Sequence, residues 1–352
     1  VKNWPDIKVY SPGYQATEWG FDYNQIVDLD TALAQSQSIA VMPVFYSLPD
    51  KHEYNLEFTQ LPLHKFDLVL FTDIEWHSQT ELVAWIATTG ITNWLLHVAG
   101  LWLDESHHPR VIYRPAWSFN FLRWNPPRQD FPLDRPFAFD CLLGARREHR
   151  DFAMLSMQKS NLLDQGIVTY RDLFVGHWID QTPMRVSRLF EDTQLYYPYV
   201  SKNLDPAWEV KQQLDNSISG LIPWEIYNRT WFSVVCETLA KDCVFLSAEK
   251  MGKCFQARRL FVVFAIQGFL QRYRDWGFET FDDVIDESYD LEADDIRRWS
   301  RAFEQVQWLC NQDLPQLLTK LRPRLDHNHN RLYEFEQEKR LELQNFVADH
   351  LK

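Results

Sequence analysis

Three observations predict an α/β chain of two Rossmann-like domains followed by C-terminal helices. Residues 231–276 alternate apolar strand, helix, strand and helix, the order of a parallel sheet. A separate set of strand-like runs occupies 7–113, and the proline-rich stretch Arg123 to Pro136 divides the two sets. Beyond Asp290 only helical periodicity remains. The expected divisions are 1–125, 137–290 and 291–352.

In order, Ile7 to Tyr10 and Ile39 to Phe45 read as strands, with Pro43 disfavouring a central place for the second half of the latter. Phe66 to Phe71 is the clearest strand of the first half. Ser78 and Glu81 form a capping box for a helix over 81–88, which Gly90 ends. Asn93 to Val98 and Arg110 to Tyr113 complete that sheet. In the second half, Phe137 to Leu143 is a strand, and the basic turn Gly144 to Arg150 opens a helix through Leu163. Trp231 to Cys236 and Leu260 to Phe264 are apolar, β-branched and aromatic, as buried strands are. Between them Ser247 is expected to cap a helix over Glu249 to Arg259, with Cys254, Phe255 and Ala257 inward and Lys250 and Lys253 on polar faces. A helix from Gln267 to Trp276 closes on Gly277. Ile296, Trp299, Phe303, Val306 and Leu309 share a stripe, and 333–351 is a final amphipathic helix.

Composition narrows the function classes. A net charge of −13 argues against a surface built to hold nucleic acid non-specifically. No apolar run is long enough to span a bilayer and no signal-peptide pattern opens the chain, so a cytoplasmic protein is expected. The five cysteines are scattered through apolar runs, as reduced core thiols are.

Two strand-to-helix turns are suited to anions. Glu249 and Lys250 begin a helix, where free N–H groups and the helix dipole attract phosphate. Arg146, Arg147 and Arg150 cluster at another helix start, after a glycine that permits close backbone approach. The bland readings are a capping glutamate with a solvated lysine, and a solvated basic turn. Ligand crevices in open α/β sheets lie beyond the carboxyl ends of the strands. Asp73, Glu75 and His77 follow such an end and are candidates for an acceptor-activating base, or are ordinary loop residues. Asp28-Leu29-Asp30 has the form of an Asp-x-Asp metal clamp, but the simpler reading makes Asp30 a helix N-cap.

Cys236-Glu237-Thr238, Phe245-Leu246-Ser247-Ala248-Glu249-Lys250 and Leu260 to Phe264 together resemble the donor-binding core of the α-1,3-fucosyltransferase family. Gly277-Phe278-Glu279-Thr280-Phe281, Ile285-Asp286-Glu287-Ser288-Tyr289-Asp290 and, more weakly, His327 to Asn330 are similar to a closer group of viral and cyanobacterial glycosyltransferases. The chain departs from both in having Ala248 where they have threonine, and the fucosyltransferases' Glu-Ser-Pro is absent. The resemblance implies a GT-B architecture, two domains facing across a cleft, with the donor in the second and the acceptor in the first. Arg150 and Lys250 would neutralise a nucleotide diphosphate, with Arg146, His149 and Lys253 beside them. Glu249 and Glu237 would hold ribose or sugar hydroxyls. It also implies one-step inverting transfer, with the base from the first domain and no cofactor or metal beyond the nucleotide-sugar donor. The expected partners are that donor and a saccharide or modified-base acceptor, with nucleic acid only as acceptor and the host cytoplasm as location if the protein is viral. The competing readings are a DNA-base glycosyltransferase, a non-catalytic sugar-nucleotide-binding protein and a metal-dependent enzyme using Asp28 and Asp30.

Overall fold

The computed structural model describes residues 7–12, 16, 19, 21–44, 61–73, 78–103, 105–115, 122, 134–171, 185–204, 220–240 and 244–351. The chain forms two compact units: 1–117 with 243–247 and 334–352, and 118–242 with 248–333.

The first unit is built on a six-stranded sheet. Its elements are β1 (Val9–Tyr10), β2 (Ile26–Val27), α1 (Leu29–Leu33), β3 (Ile39–Pro43), β4 (Leu68–Asp73), α2 (Gln79–Thr88), β5 (Trp94–Val98), β6 (Gly100–Trp102) and β7 (Val111–Tyr113). The sheet order is β2-β1-β3-β4-β5-β7 and every pairing is parallel. A parallel sheet covered on both faces needs apolar residues at successive positions, which explains the unbroken run from Leu68 to Phe71. Val69 and Phe71 pack with Leu82 and Ile86 of α2, while Leu68 and Leu70 pack with Trp19, Leu343 and Val347. Pro43 is the last residue of β3 and pairs with Thr72, so the missing N–H falls where the strand ends.

The cap of α2 is Ser78, whose hydroxyl accepts the Glu81 N–H at 3.2 Å. Glu105 adds a second anchor there: its carboxylate accepts from the Ser78 hydroxyl and from the Gln79 N–H at 2.9 Å. The cap of α1 is Asp28 rather than Asp30. Its carboxylate accepts the Thr31 N–H at 2.8 Å and the Thr31 hydroxyl at 2.7 Å. These two bonds hold Asp28 below the usual carboxylate range and occupy it as a cap, against the Asp-x-Asp metal reading.

The second unit holds β8 (Phe137–Leu143), α3 (Glu148–Lys159), β9 (Gly166–Tyr170), β10 (Tyr199–Val200), α4 (Trp224–Tyr227) and β11 (Thr230–Cys236). After β12 (Val244–Leu246), it resumes with α5 (Glu249–Gln256), β13 (Leu260–Phe264), α6 (Phe269–Asp275) and α7 (Asp295–Leu309), then much of α8 (Leu314–His350). Its sheet order is β10-β9-β8-β11-β13, with only the edge strand β10 antiparallel. From β8 the chain builds outward through β9, then returns to build β11 and β13 on the other side. The order therefore reverses between β8 and β11, the switch point at which doubly wound sheets leave a ligand crevice. The apolar run at 244–246 is not a member of this sheet; it pairs antiparallel with β6 in the first unit.

Helix α5 is shorter than expected because Arg258 takes a positive φ of 52° and turns the chain into β13. Pro323 lies inside α8, which runs as one helix of 37 residues.

Candidate functional site

At the carboxyl ends of β8 and β11 the second unit gathers most of its chemistry-bearing residues. The first turn of α3 supplies His149 and Arg150, both buried. His149 Nε2 donates to the Glu237 carbonyl at 2.8 Å, and Arg150 Nη2 donates to the same oxygen at 3.1 Å. A carbonyl only accepts, so His149 carries its proton on Nε2. Arg150 Nη1 donates to the Ala145 carbonyl at 2.7 Å, so the guanidinium ties its own turn to the end of β11. Burial, then the Arg150 charge, holds His149 well below its ordinary pKa, and the ring is neutral.

Glu237 follows β11 and is wholly buried. Its Oε2 accepts the Thr238 N–H at 3.2 Å, and its Oε1 has no partner among the described residues. Burial pushes this carboxyl up to about 7, although Lys250 works against the shift. Across from it, Lys250 Nζ donates to Thr238 Oγ1 at 3.2 Å and lies 3.7 Å from Glu249 Oε1. Burial raises Glu249, but Lys250 and Lys253 outweigh it, and the carboxyl sits below its ordinary value. Lys253 is not on a solvated face: it is buried, and burial pulls its pKa down to about 8.

The N-terminus of α5 meets this group. Its cap is Ala248 rather than Ser247, and the alanine side chain has no oxygen to accept a first-turn N–H. Helix α6 is different. Gly268 is its cap residue, and the Asp290 carboxylate accepts the N–H groups of Leu270 at 2.9 Å and Gln271 at 3.0 Å. The string Ile285 to Asp290 is therefore structural. Asp290 fills the start of α6, and Glu287 accepts the Phe281 N–H at 2.8 Å while pairing with Arg274 at 2.5 Å. His327 to His329 do similar work: His327 bonds the Gly277 carbonyl, Asn328 bonds both backbone groups of Glu279, and His329 bonds the Gln256 carbonyl.

Arg146 does not join the group. Its guanidinium pairs with Asp151 through Nε and Nη2, at 3.0 and 2.9 Å to Oδ2, and Tyr170 donates to the same carboxylate at 2.5 Å. Arg146 instead pins the start of α3.

A buried polar network beside the site was not evident from spacing. Arg259 pairs with Asp140 and donates to Ser233 Oγ at 3.0 Å and to the Tyr227 and Thr230 carbonyls at 2.8 and 2.6 Å. Its signal was an aspartate within the apolar strand Phe137 to Leu143 and an arginine directly before β13. A cavity of about 100 Å³ connects this network to the α5 end, with Asp140, Tyr227, Ser233, Glu249, Lys250 and Lys253 on its walls.

Of the three residues expected to supply a base, Glu75 and His77 lie outside the described residues. Asp73 is the last residue of β4 and is wholly buried, its carbonyl accepting the Ala99 N–H at 2.9 Å. Among the described residues no three His, Cys, Asp or Glu side chains are grouped to hold a metal ion, and no helix is long and apolar enough to cross a membrane.

No family model and no curated protein matches the chain. It is similar to a solved structure, T4 phage BGT in complex with UDP and Mn2+, at 9% identity and a TM-score of 0.42, over 98% of this chain and 99% of that one. The Mn2+ in that complex overturns the expectation of a reaction with no cofactor and no metal, which is withdrawn.

Proposed function

We propose that the chain is a glycosyltransferase that holds a nucleotide-diphosphate sugar at the carboxyl edge of the second unit's sheet and passes the sugar to an acceptor hydroxyl. One observation supports this above the rest. The switch point between β8 and β11 is also where Arg150, Glu237, Lys250 and the start of α5, with alanine at its cap, meet.

In this reading the first-turn N–H groups of α5 and the Lys250 ammonium take the diphosphate. Arg150 adds charge from behind while its hydrogen bonds keep the β11 end in place. Developing charge on the departing diphosphate is then met by donors already aimed at it. Glu249 accepts from hydroxyls of ribose or sugar. Glu237, with one oxygen lacking a partner, accepts another. For the acceptor's proton we propose a base among Asp73, Glu75 and His77, with inversion at the transferred carbon. Asp73 is the least suited because it is wholly buried. The fucosyltransferase resemblance fits the same assignment, through Glu249 and Lys250.

The test is release of nucleoside diphosphate. The chain is incubated with uridine, guanosine, thymidine and adenosine diphosphate sugars, with Mn2+ present, and with saccharide or duplex DNA acceptors. Acceptor-stimulated release from one donor supports a transferase. Donor binding without release on any acceptor points to the sugar-nucleotide-binding reading, and neither binding nor release ends the proposal.

A further inference from the structure

We propose that the groove between residues 279–284, the end of α7 and the first turns of α8 binds a neutral oligosaccharide, independently of the donor site. The groove encloses about 640 Å³, within the range of ligand clefts. Its chemistry is mixed in a specific way. Trp308 lines it and is 41% exposed, whereas Trp299, on the same helix, is buried in the core. An indole left on the surface beside a concavity is an apolar platform with a polar edge. Most of the remaining lining hydrogen-bonds, chiefly Gln312, Asp313, Gln316, Lys320 and Arg324, while Val284, Leu317, Leu321 and Pro323 add apolar surface.

Several of these groups retain unused capacity. Gln312 Nε2 donates to the Trp308 carbonyl at 3.1 Å, which leaves its amide oxygen to accept. Asp313 Oδ1 takes the Gln316 N–H at 3.0 Å, and Oδ2 remains. Pro323 lines the groove and has no N–H, so the Thr319 carbonyl lacks its usual helical donor. The opposite wall is fixed: Arg324 pairs with Asp283 through two bonds, at 2.5 and 2.9 Å, and donates to the Thr280 carbonyl at 2.9 Å.

These features select the ligand class. Glu279, Asp283 and Asp313 face Lys320 and Arg324, so the lining is nearly balanced with an acidic excess that disfavours a phosphate backbone. Of its aliphatic side chains Leu321 is buried and Val284 and Leu317 are half-buried, which leaves little apolar surface beyond Trp308 for an amphipathic helix. A sugar chain combines C–H faces for the indole with hydroxyls that both donate and accept, which suits carboxylate, amide and ammonium groups together.

Calorimetric titration of the full chain with maltohexaose, cellohexaose, laminarihexaose and chitohexaose tests this. At least one should bind. Trp308→Ala should weaken that binding about tenfold or more, as loss of an aromatic anchor does, and Trp308→Phe should restore part of it. Gln316→Ala, at an exposed position, should give a smaller loss in a chain whose folding is undisturbed. Nucleotide binding should be the same in all. If none of the four binds, or if binding is unchanged in both Trp308→Ala and Gln316→Ala, the assignment is wrong.

Discussion

Arg150 and Glu237 meet across the reversal of the second sheet, the guanidinium of one donating at 3.1 Å to the carbonyl of the other. The bond joins a helix start after β8 to the residue after β11, 87 positions apart in sequence. It fixes the edge on which Glu237 is buried beside Lys250, and that burial, which raises the carboxyl against the pull of the lysine, gives the site a pH dependence.

Folding raises the Glu237 carboxyl from 4.5 to about 7. Below pH 4.5 the group is protonated in both states and costs nothing. Between 4.5 and 7 the unfolded chain releases the proton and the folded chain keeps it, so stability falls as pH rises. Above 7 the loss is complete, on the order of 3 kcal/mol. Glu237→Gln should therefore gain stability over the parent as pH rises from 5 to 8, in parallel urea denaturation series. A difference independent of pH would show that Glu237 is not buried as an acid.

Ala248→Thr supplies the missing side-chain cap of α5. The helix should gain about 0.5–2 kcal/mol, read as a higher Tm, with nucleotide affinity altered by less than about tenfold because one neutral hydrogen bond is involved. Loss of stability would mean that the α5 start is already filled by another group.

Asp140→Ala leaves the Arg259 guanidinium buried without its carboxylate. Breaking such a pair costs about 3–5 kcal/mol, so chemical denaturation should show a sharply lowered midpoint. Asp140→Asn, which can still accept from Thr230 and Ser233, should lose less. Equal losses would assign the cost to shape rather than charge.

Gly166→Ala would bring a Cβ within 2.6 Å of the Phe139 ring in the neighbouring strand. Overpacking of this kind costs about 1–3 kcal/mol, with an unchanged fold by circular dichroism.

The strands were the most legible part of the chain. Phe137–Leu143 and Leu260–Phe264 stand with the bounds their apolar runs suggest, because a strand buried on both faces has little freedom in composition. The residues of the two anion-suited turns were legible as well, since helix starts have recognisable chemistry. Their partners were not. Arg146 and Arg150 lie four residues apart, yet Asp151, itself held by the Tyr170 hydroxyl, claims the first and backbone carbonyls the second. That division depends on which carboxylate the fold brings near. The run Val244 to Leu246 reads as a strand, but three apolar residues carry no information on their pairing partner. Ile285 to Asp290 is conspicuous in sequence and serves to cap α6. Lys253 is buried although its helical spacing suggests a polar face, because spacing does not reveal what the neighbouring chain covers.

In the proposed site a nucleotide diphosphate rests on the start of α5 against Lys250. Calorimetric titration of the parent and of Lys250→Ala with the nucleoside diphosphate of the best donor, at pH 6.5 with Mn2+ present, tests it most directly. Saturable one-to-one binding is expected in the parent and a loss of about 1.5–3 kcal/mol in the variant, the worth of a charge-assisted hydrogen bond. Equal affinity in the two proteins would contradict it.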